Sequence, residues 1–239
     1  MTVILEGPEG EQFNTYTTQR YPLGTQLIQQ DGRVFRFCLA GGTSLVRGDV
    51  QQGPANISNH VNLTAAAMAI STRAPTQLLA ATAAELNEYQ HGYLQITVTP
   101  DGGSYYVIAQ HDAVASSGTL TANLAQGHRL QAAWTTSTRT NFIHNLYRAV
   151  IQVPITTITM ALAGVAVGAI TNAQYGWIQT RGPCAVYTSG TLILGNSAAY
   201  IQVAAALGPP ASAATDYVAG EVMRVGGSTA WSLVNLNLA

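Results

Sequence analysis

Five histidines, two cysteines and eleven carboxylates are the side chains of this 239-residue chain that could move protons, hold a metal or attack a substrate. The histidines (His60, His91, His111, His128 and His144) stand singly. None has a partner at H-x-H or H-x-x-x-H spacing, so a metal site would need distant segments to converge. Each reads as a surface or hydrogen-bonded structural residue. Cys38 and Cys184 are too far apart for a local metal motif. They read as two buried thiols, with a disulfide left open until distances are known. Cys184 follows Gly182-Pro183 and is the best candidate for a nucleophile, with His111 or His144 as its base. Pro183 argues against this, because it removes a backbone donor just before the thiol, and no local cysteine-hydrolase signature surrounds it. The acids fall mostly in turns (Asp31, Asp49, Asp101, Asp216) or near the start (Glu6, Glu9, Glu11). That placement suits solvated charge better than the paired carboxylates of a glycosidase. Asp101-Gly102-Gly103 and Gly226-Gly227 are turn glycines, because neither belongs to a phosphate-cradling motif between a strand and a helix. Tyr105 and Tyr106 could stack on sugars, although neighbours on a strand face opposite sides and one of them should be core. The inventory predicts a protein that is not an enzyme, with no catalytic, cofactor-binding or metal-binding residue to assign.

The elements that would position these groups are strands. Tyr175-Gly176-Trp177-Ile178-Gln179-Thr180 alternates large and polar side chains, turns at Gly182-Pro183 and resumes at Ala185-Val186-Tyr187, which reads as strand, corner, strand. Asp31-Gly32 turns residues 26–30 into Arg33-Val34-Phe35-Arg36-Phe37-Cys38-Leu39, a hairpin with one buried face. Residues 92–98 and 105–109 pair across Pro100-Asp101-Gly102-Gly103. Further β candidates lie at 118–124, 129–135, 156–160, 199–204, 221–225 and 230–236, while 65–70 suits a strand or a short helix. Residues 80–89 have the best helix composition, and Gly92 limits them to a turn or a short helix. The spacing predicts an all-β fold, mainly antiparallel, of small β-barrel or sandwich lobes with at most one short helix. It also predicts an extended arm at 1–20, a β-rich lobe at 21–144 and a small β-barrel-like lobe at 145–239. The arm has too few apolar residues to hold itself in a core. Residues 48–62 read as a polar loop whose two N-x-S/T sequences arise by chance.

Only 9% of residues are charged, well below the roughly 25% of ordinary soluble domains. Every base is arginine, lysine is absent, and the formal net charge is -1. This provides no electrostatic footprint for nucleic acid or an anionic membrane. Residues 149–180 carry no charge, but threonines at 156, 157, 159 and 171 interrupt the run before the roughly 20 apolar residues of a membrane span accumulate. The opening residues show no export signal. Neutral polar surface costs less to desolvate than charged surface, so the composition suits a protein covered by neighbours.

Several phrases carry a resemblance. They are Tyr21-Pro22-Leu23-Gly24-Thr25 followed by Asp31-Gly32-Arg33-Val34-Phe35-Arg36; Asn87-x-Tyr89-x-x-Gly92-Tyr93-Leu94; Asn145-x-Tyr147-Arg148; the run from Tyr175 to Cys184; and Ser232-Leu233-Val234-Asn235-Leu236-Asn237-Leu238. Together they resemble structural proteins of tailed bacteriophages, of the head-decoration (cement) type. The resemblance implies a β-rich virion protein on the outside of the phage head, bound to the major capsid protein and often trimeric. It would stabilise the expanded lattice stoichiometrically, as any ligand selective for one state does. The arm, with Phe13, Asn14, Tyr16 and Arg20 as the expected capsid contacts, would dock by β-augmentation. The rival expectation is a receptor- or glycan-binding virion component that uses residues 48–62 and the Tyr105-Tyr106 pair.

Overall fold

The computed structural model describes residues 4–154, 158–200, 205–210, 217–227 and 229–238, with only the backbone at Tyr200. The chain divides into two compact units, Met1–Pro54 with Leu146–Ala239, and Ala55–Asn145. The second unit is therefore inserted in the first. The boundaries between the units lie at 54/55 and 145/146, and residues 26–52 belong with the C-terminal strands because β3 and β4 pair with β14, β12 and β13.

In chain order the strands are β1 (Ile4–Glu6), β2 (Gln26–Ile28), β3 (Val34–Leu39), β4 (Val50–Gln52), β5 (Leu63–Thr64), β6 (Thr76–Leu78), β7 (Tyr93–Ile96), β8 (Tyr105–Gln110) and β9 (Thr119–Thr121). There follow β10 (Asn123–Leu124), β11 (Arg139–Ile143), β12 (Ile151–Gln152), β13 (Leu162–Ala166), β14 (Tyr175–Thr188), β15 (Ser197–Tyr200), β16 (Leu207–Gly208), β17 (Tyr217–Arg224) and β18 (Ala230–Asn237). The protein is all-β. Among the described residues the only helical turns are of 3-10 type, Glu11–Phe13 and Ser58–His60. The helix-prone stretch 80–89 forms turns instead, tied across to residue 114 by the Ala84 bridge. At 129–135 a single Met68–Trp134 bridge replaces the expected strand. Residues 156–157 and 201–204, parts of two expected strands, lie outside the described residues.

The first unit is built on β14, whose 14 residues change partner midway. Its first half pairs with β3 and β13, and from Arg181 to Thr188 it pairs with β18. The expected corner at Gly182-Pro183 is thus a bend inside one continuous strand, with Gly182 at φ 86°. The buried Gln179 side chain holds the bend, its Nε2 lying 3.0, 3.2 and 2.9 Å from the carbonyl oxygens of Arg181, Gly182 and Pro183. Beyond it, β14, β16, β15, β17 and β18 pair in a closed ring, a small barrel filled by Cys184, Val186, Leu207, Val222, Val234 and Leu236. Strand β3 is buried on both faces rather than the one expected. Phe35 and Phe37 join Leu27 and Trp177 on one side, and Cys38 joins Ile178 and Ala163 on the other.

The N-terminal arm is not free. Strand β1 pairs in parallel with β2, and Tyr16 exchanges both main-chain hydrogen bonds with Tyr175 at 2.9 and 2.8 Å. A segment too polar to make a core is held here by backbone bonding, which sequence composition does not report.

The second unit has one five-stranded sheet, β10-β8-β7-β11-β5, and the β6–β9 pair. Its core contains Tyr89, Leu94, Ile96, Ile108, Trp134 and Phe142. Asp101 sits in the expected β7–β8 turn but is buried rather than solvated. Its carboxylate accepts from the Ser104 hydroxyl, the Tyr106 hydroxyl and the Trp134 indole at 2.7, 2.6 and 2.9 Å.

Candidate functional site

The four expected contact residues lie on one ridge of the first unit. Below the ridge, Gln12 is buried and its Oε1 accepts from the Gln29 amide and the Gly10 backbone. Arg33 clamps Glu9 through two bonds of 2.7 and 2.9 Å. From this base the 3-10 turn raises Phe13, which is 54% exposed. The Glu11 carboxylate then organises the following residues, accepting from Asn14 Nδ2 at 2.8 Å and from the Tyr16 hydroxyl at 2.6 Å. Burial, with the Glu11 charge adding to it, pushes the Tyr16 phenol up to about 12. The Arg20 guanidinium lies 4.7 Å above the Tyr16 ring. Thr15, Thr17, Thr18 and Gln19 are all exposed beside these residues. The result is a hydroxyl-rich ridge with two aromatics, Phe13 and Tyr16, and one cation, Arg20, held at Tyr16 and upstream of it at β1. Sequence reading missed Glu11 as the shared acceptor, although its spacing of three to Asn14 and five to Tyr16 was visible.

The rival contacts separate. Residues 48–62 are not a loop throughout, because Val50, Gln51 and Gln52 are buried in β4 and the stretch passes from one unit to the other. Tyr106 is core and Tyr105 is 63% exposed, as alternation requires. The partner of Tyr105 is Tyr93 of β7, edge-on at 5.8 Å. Gln95 pairs with Tyr105 on one side and with Asn141 on the other, and the Asn141 amide donates to Gln95 Oε1 at 3.1 Å. The β7–β8 register, readable from the turn at 100–103, is the signal that would have found Tyr93.

Cys184 belongs to the first unit, and His111 and His144 belong to the second. Both cysteines are free and buried, and burial pushes each thiol up to about 12. A thiol held so far from ionisation is a poor nucleophile at neutral pH. Three histidines do converge, which no local spacing revealed, and they do so around Tyr89. The Tyr89 hydroxyl bonds His60 Nδ1. The Tyr89 backbone N–H donates to His111 Nε2 at 2.9 Å, leaving His111 Nδ1 to donate to the Asp112 carbonyl at 2.8 Å. His144 stacks on the Tyr89 ring at 4.7 Å and pairs with Glu88 at 3.4 Å. Burial raises the Glu88 carboxyl, but the His144 contact and the Glu85 backbone amide outweigh it and leave the carboxyl below its ordinary value. With His60 Nε2 also on the Thr82 carbonyl, this is a packed hydrogen-bond cluster. No group of three or more potential metal ligands is found among the described residues. No helix among the described residues is long and apolar enough to cross a membrane.

No protein-family model, curated protein or solved structure matches the chain.

Proposed function

We propose that this chain is a structural protein of a tailed-bacteriophage particle, a homotrimeric decoration protein on the outside of the expanded head. It contacts the major capsid protein through the ridge of residues 13–20. One observation carries the reading: a hydroxyl-rich, nearly uncharged ridge is anchored to the first unit's sheet by the main-chain bonds of Tyr16, with β1 paired to the same sheet upstream of it. Neutral hydroxyl and amide groups are cheaper to desolvate than ions, and a ridge ordered before binding loses less conformational entropy on docking. The mechanism is mass action, since a ligand that prefers the expanded lattice stabilises it in proportion to its occupancy. Because residues 4–6 form a strand of the protein's own sheet, removing the whole segment would damage the fold as well as the contact. The sharper perturbation is the double substitution Phe13→Ala and Arg20→Ala on exposed side chains. Co-sedimentation with expanded heads should fall at least tenfold while circular dichroism stays unchanged, and undiminished retention would refute the ridge as the contact.

The second reading, a glycan-binding virion component, draws on the exposed Tyr93–Tyr105 pair with Gln95 and Asn141 beside it. Density on the head together with an array free of glycan hits decides against it.

A further inference from the structure

On the outside of the small barrel, the outward positions of β18 are Trp231, Leu233, Asn235 and Asn237, and those of β14 are Arg181, Pro183, Ala185 and Tyr187. Register places Arg181 opposite Asn237, Pro183 opposite Asn235, and Tyr187 opposite Trp231. It carries the Asn235 row onward to Glu221 of β17 and Ser197 of β15. At the polar end of this strip lies a groove of about 480 Å³ lined by Arg181, Ser197, Glu221, Asn235 and Asn237, with Val218. That volume falls within the range of ordinary small-molecule sites.

Among the described residues, none of those five polar side chains makes a hydrogen bond or ion pair within the protein. The groove therefore offers amide, hydroxyl, guanidinium and carboxylate groups with their bonding capacity unspent. At the other end Trp231 is half-exposed and edge-on to Tyr187 at 6.2 Å. Its indole rests on bare backbone, since a Cβ on Gly48 would fall 2.0 Å from Trp231 Cζ3. Gly48 also has φ 82°, a conformation that side chains other than glycine's resist. The aromatic plate is thus held in place while much of it faces solvent.

We infer that this strip is a binding site for a neutral oligosaccharide. Trp231 would take the apolar face of one sugar ring, and Asn235, Asn237, Glu221 and Arg181 would take the hydroxyls of rings further along. The class follows from the chemistry of the groove. Arg181 and Glu221 give it one charge of each sign, which favours neither an anionic nor a cationic ligand. Amides beside a carboxylate supply the mixed donors and acceptors that vicinal hydroxyls require. Trp231 and Asn235 are four residues apart, roughly 14 Å at the strand rise, so a ligand that touches both is an oligomer rather than a single sugar. This inference does not rest on where the protein sits in a particle.

The test uses the full chain on an array of neutral and acidic oligosaccharides, followed by calorimetric titration with hexamers of gluco, galacto and manno configuration. At least one neutral hexamer should bind. Trp231→Ala, and separately the pair Asn235→Ala with Asn237→Ala, should each weaken it tenfold or more with the fold intact by circular dichroism, while the exposed Leu86→Ala leaves it unchanged. Three results would overturn the inference: no neutral glycan above background, hits confined to charged glycans, or binding that survives both barrel variants. Loss of binding in Tyr105→Ala alone would move the site to the other unit and overturn it equally.

Discussion

Asp49 sits at the mouth of β4 with its side chain almost out of solvent, 7% exposed. Burial pushes its carboxyl up from 3.8 to about 6, against the opposing hydrogen bond from the Gln152 amide. For an acid, a raised value in the folded state means that the folded protein holds its proton more tightly than the unfolded chain does. Stability then falls as pH rises from about 4 to about 6. At 1.36 kcal/mol per pH unit the full penalty at pH 7 is about 3 kcal/mol. Asp49→Asn removes the ionisation and keeps an oxygen to accept from Gln152. The variant should therefore be about 1–3 kcal/mol more stable at pH 7 and within about 0.5 kcal/mol of the parent at pH 4, where the folded carboxyl is neutral and an amide faces the same surroundings. Urea unfolding followed by Trp fluorescence at pH 4, 5, 6 and 7 should show a gap in midpoint opening across that window to roughly 1 M. A gap of the same size at pH 4 and pH 7 would show that ionisation is not its source. An Asn variant weaker than the parent at pH 7 would show that the carboxylate is needed.

Gln179→Leu leaves the carbonyls of Arg181, Gly182 and Pro183 without their shared donor inside the sheet. It should cost about 1–3 kcal/mol by urea midpoint, the usual penalty for buried acceptors left unpaired; a change below 0.5 kcal/mol would mean water replaces the amide. Cys38 and Cys184 should resist iodoacetamide at pH 8 in the native protein and react together once urea unfolds the first unit. Rapid native labelling of either, read by intact mass, would contradict the raised thiols.

Alternation and turn chemistry alone predict much of this molecule. Asp31-Gly32 and Pro100 to Gly103 mark the β2–β3 and β7–β8 hairpins, and the period of two in Tyr105 and Tyr106 correctly sends one outward and one into the core. Low charge and the absence of local ligand spacings are likewise properties of the linear chain. What the linear chain could not reveal is which strand pairs with which over long separations, since pairing depends on shape and backbone bonds rather than on a residue code. The partner change along β14, the insertion of residues 55–145, and the gathering of His60, His111 and His144 around Tyr89 all follow from such pairings. The arm shows the reason most plainly. Its side chains are too polar to announce a place in the fold, and it is held by the main-chain hydrogen bonds of β1 and Tyr16, which every residue type can make.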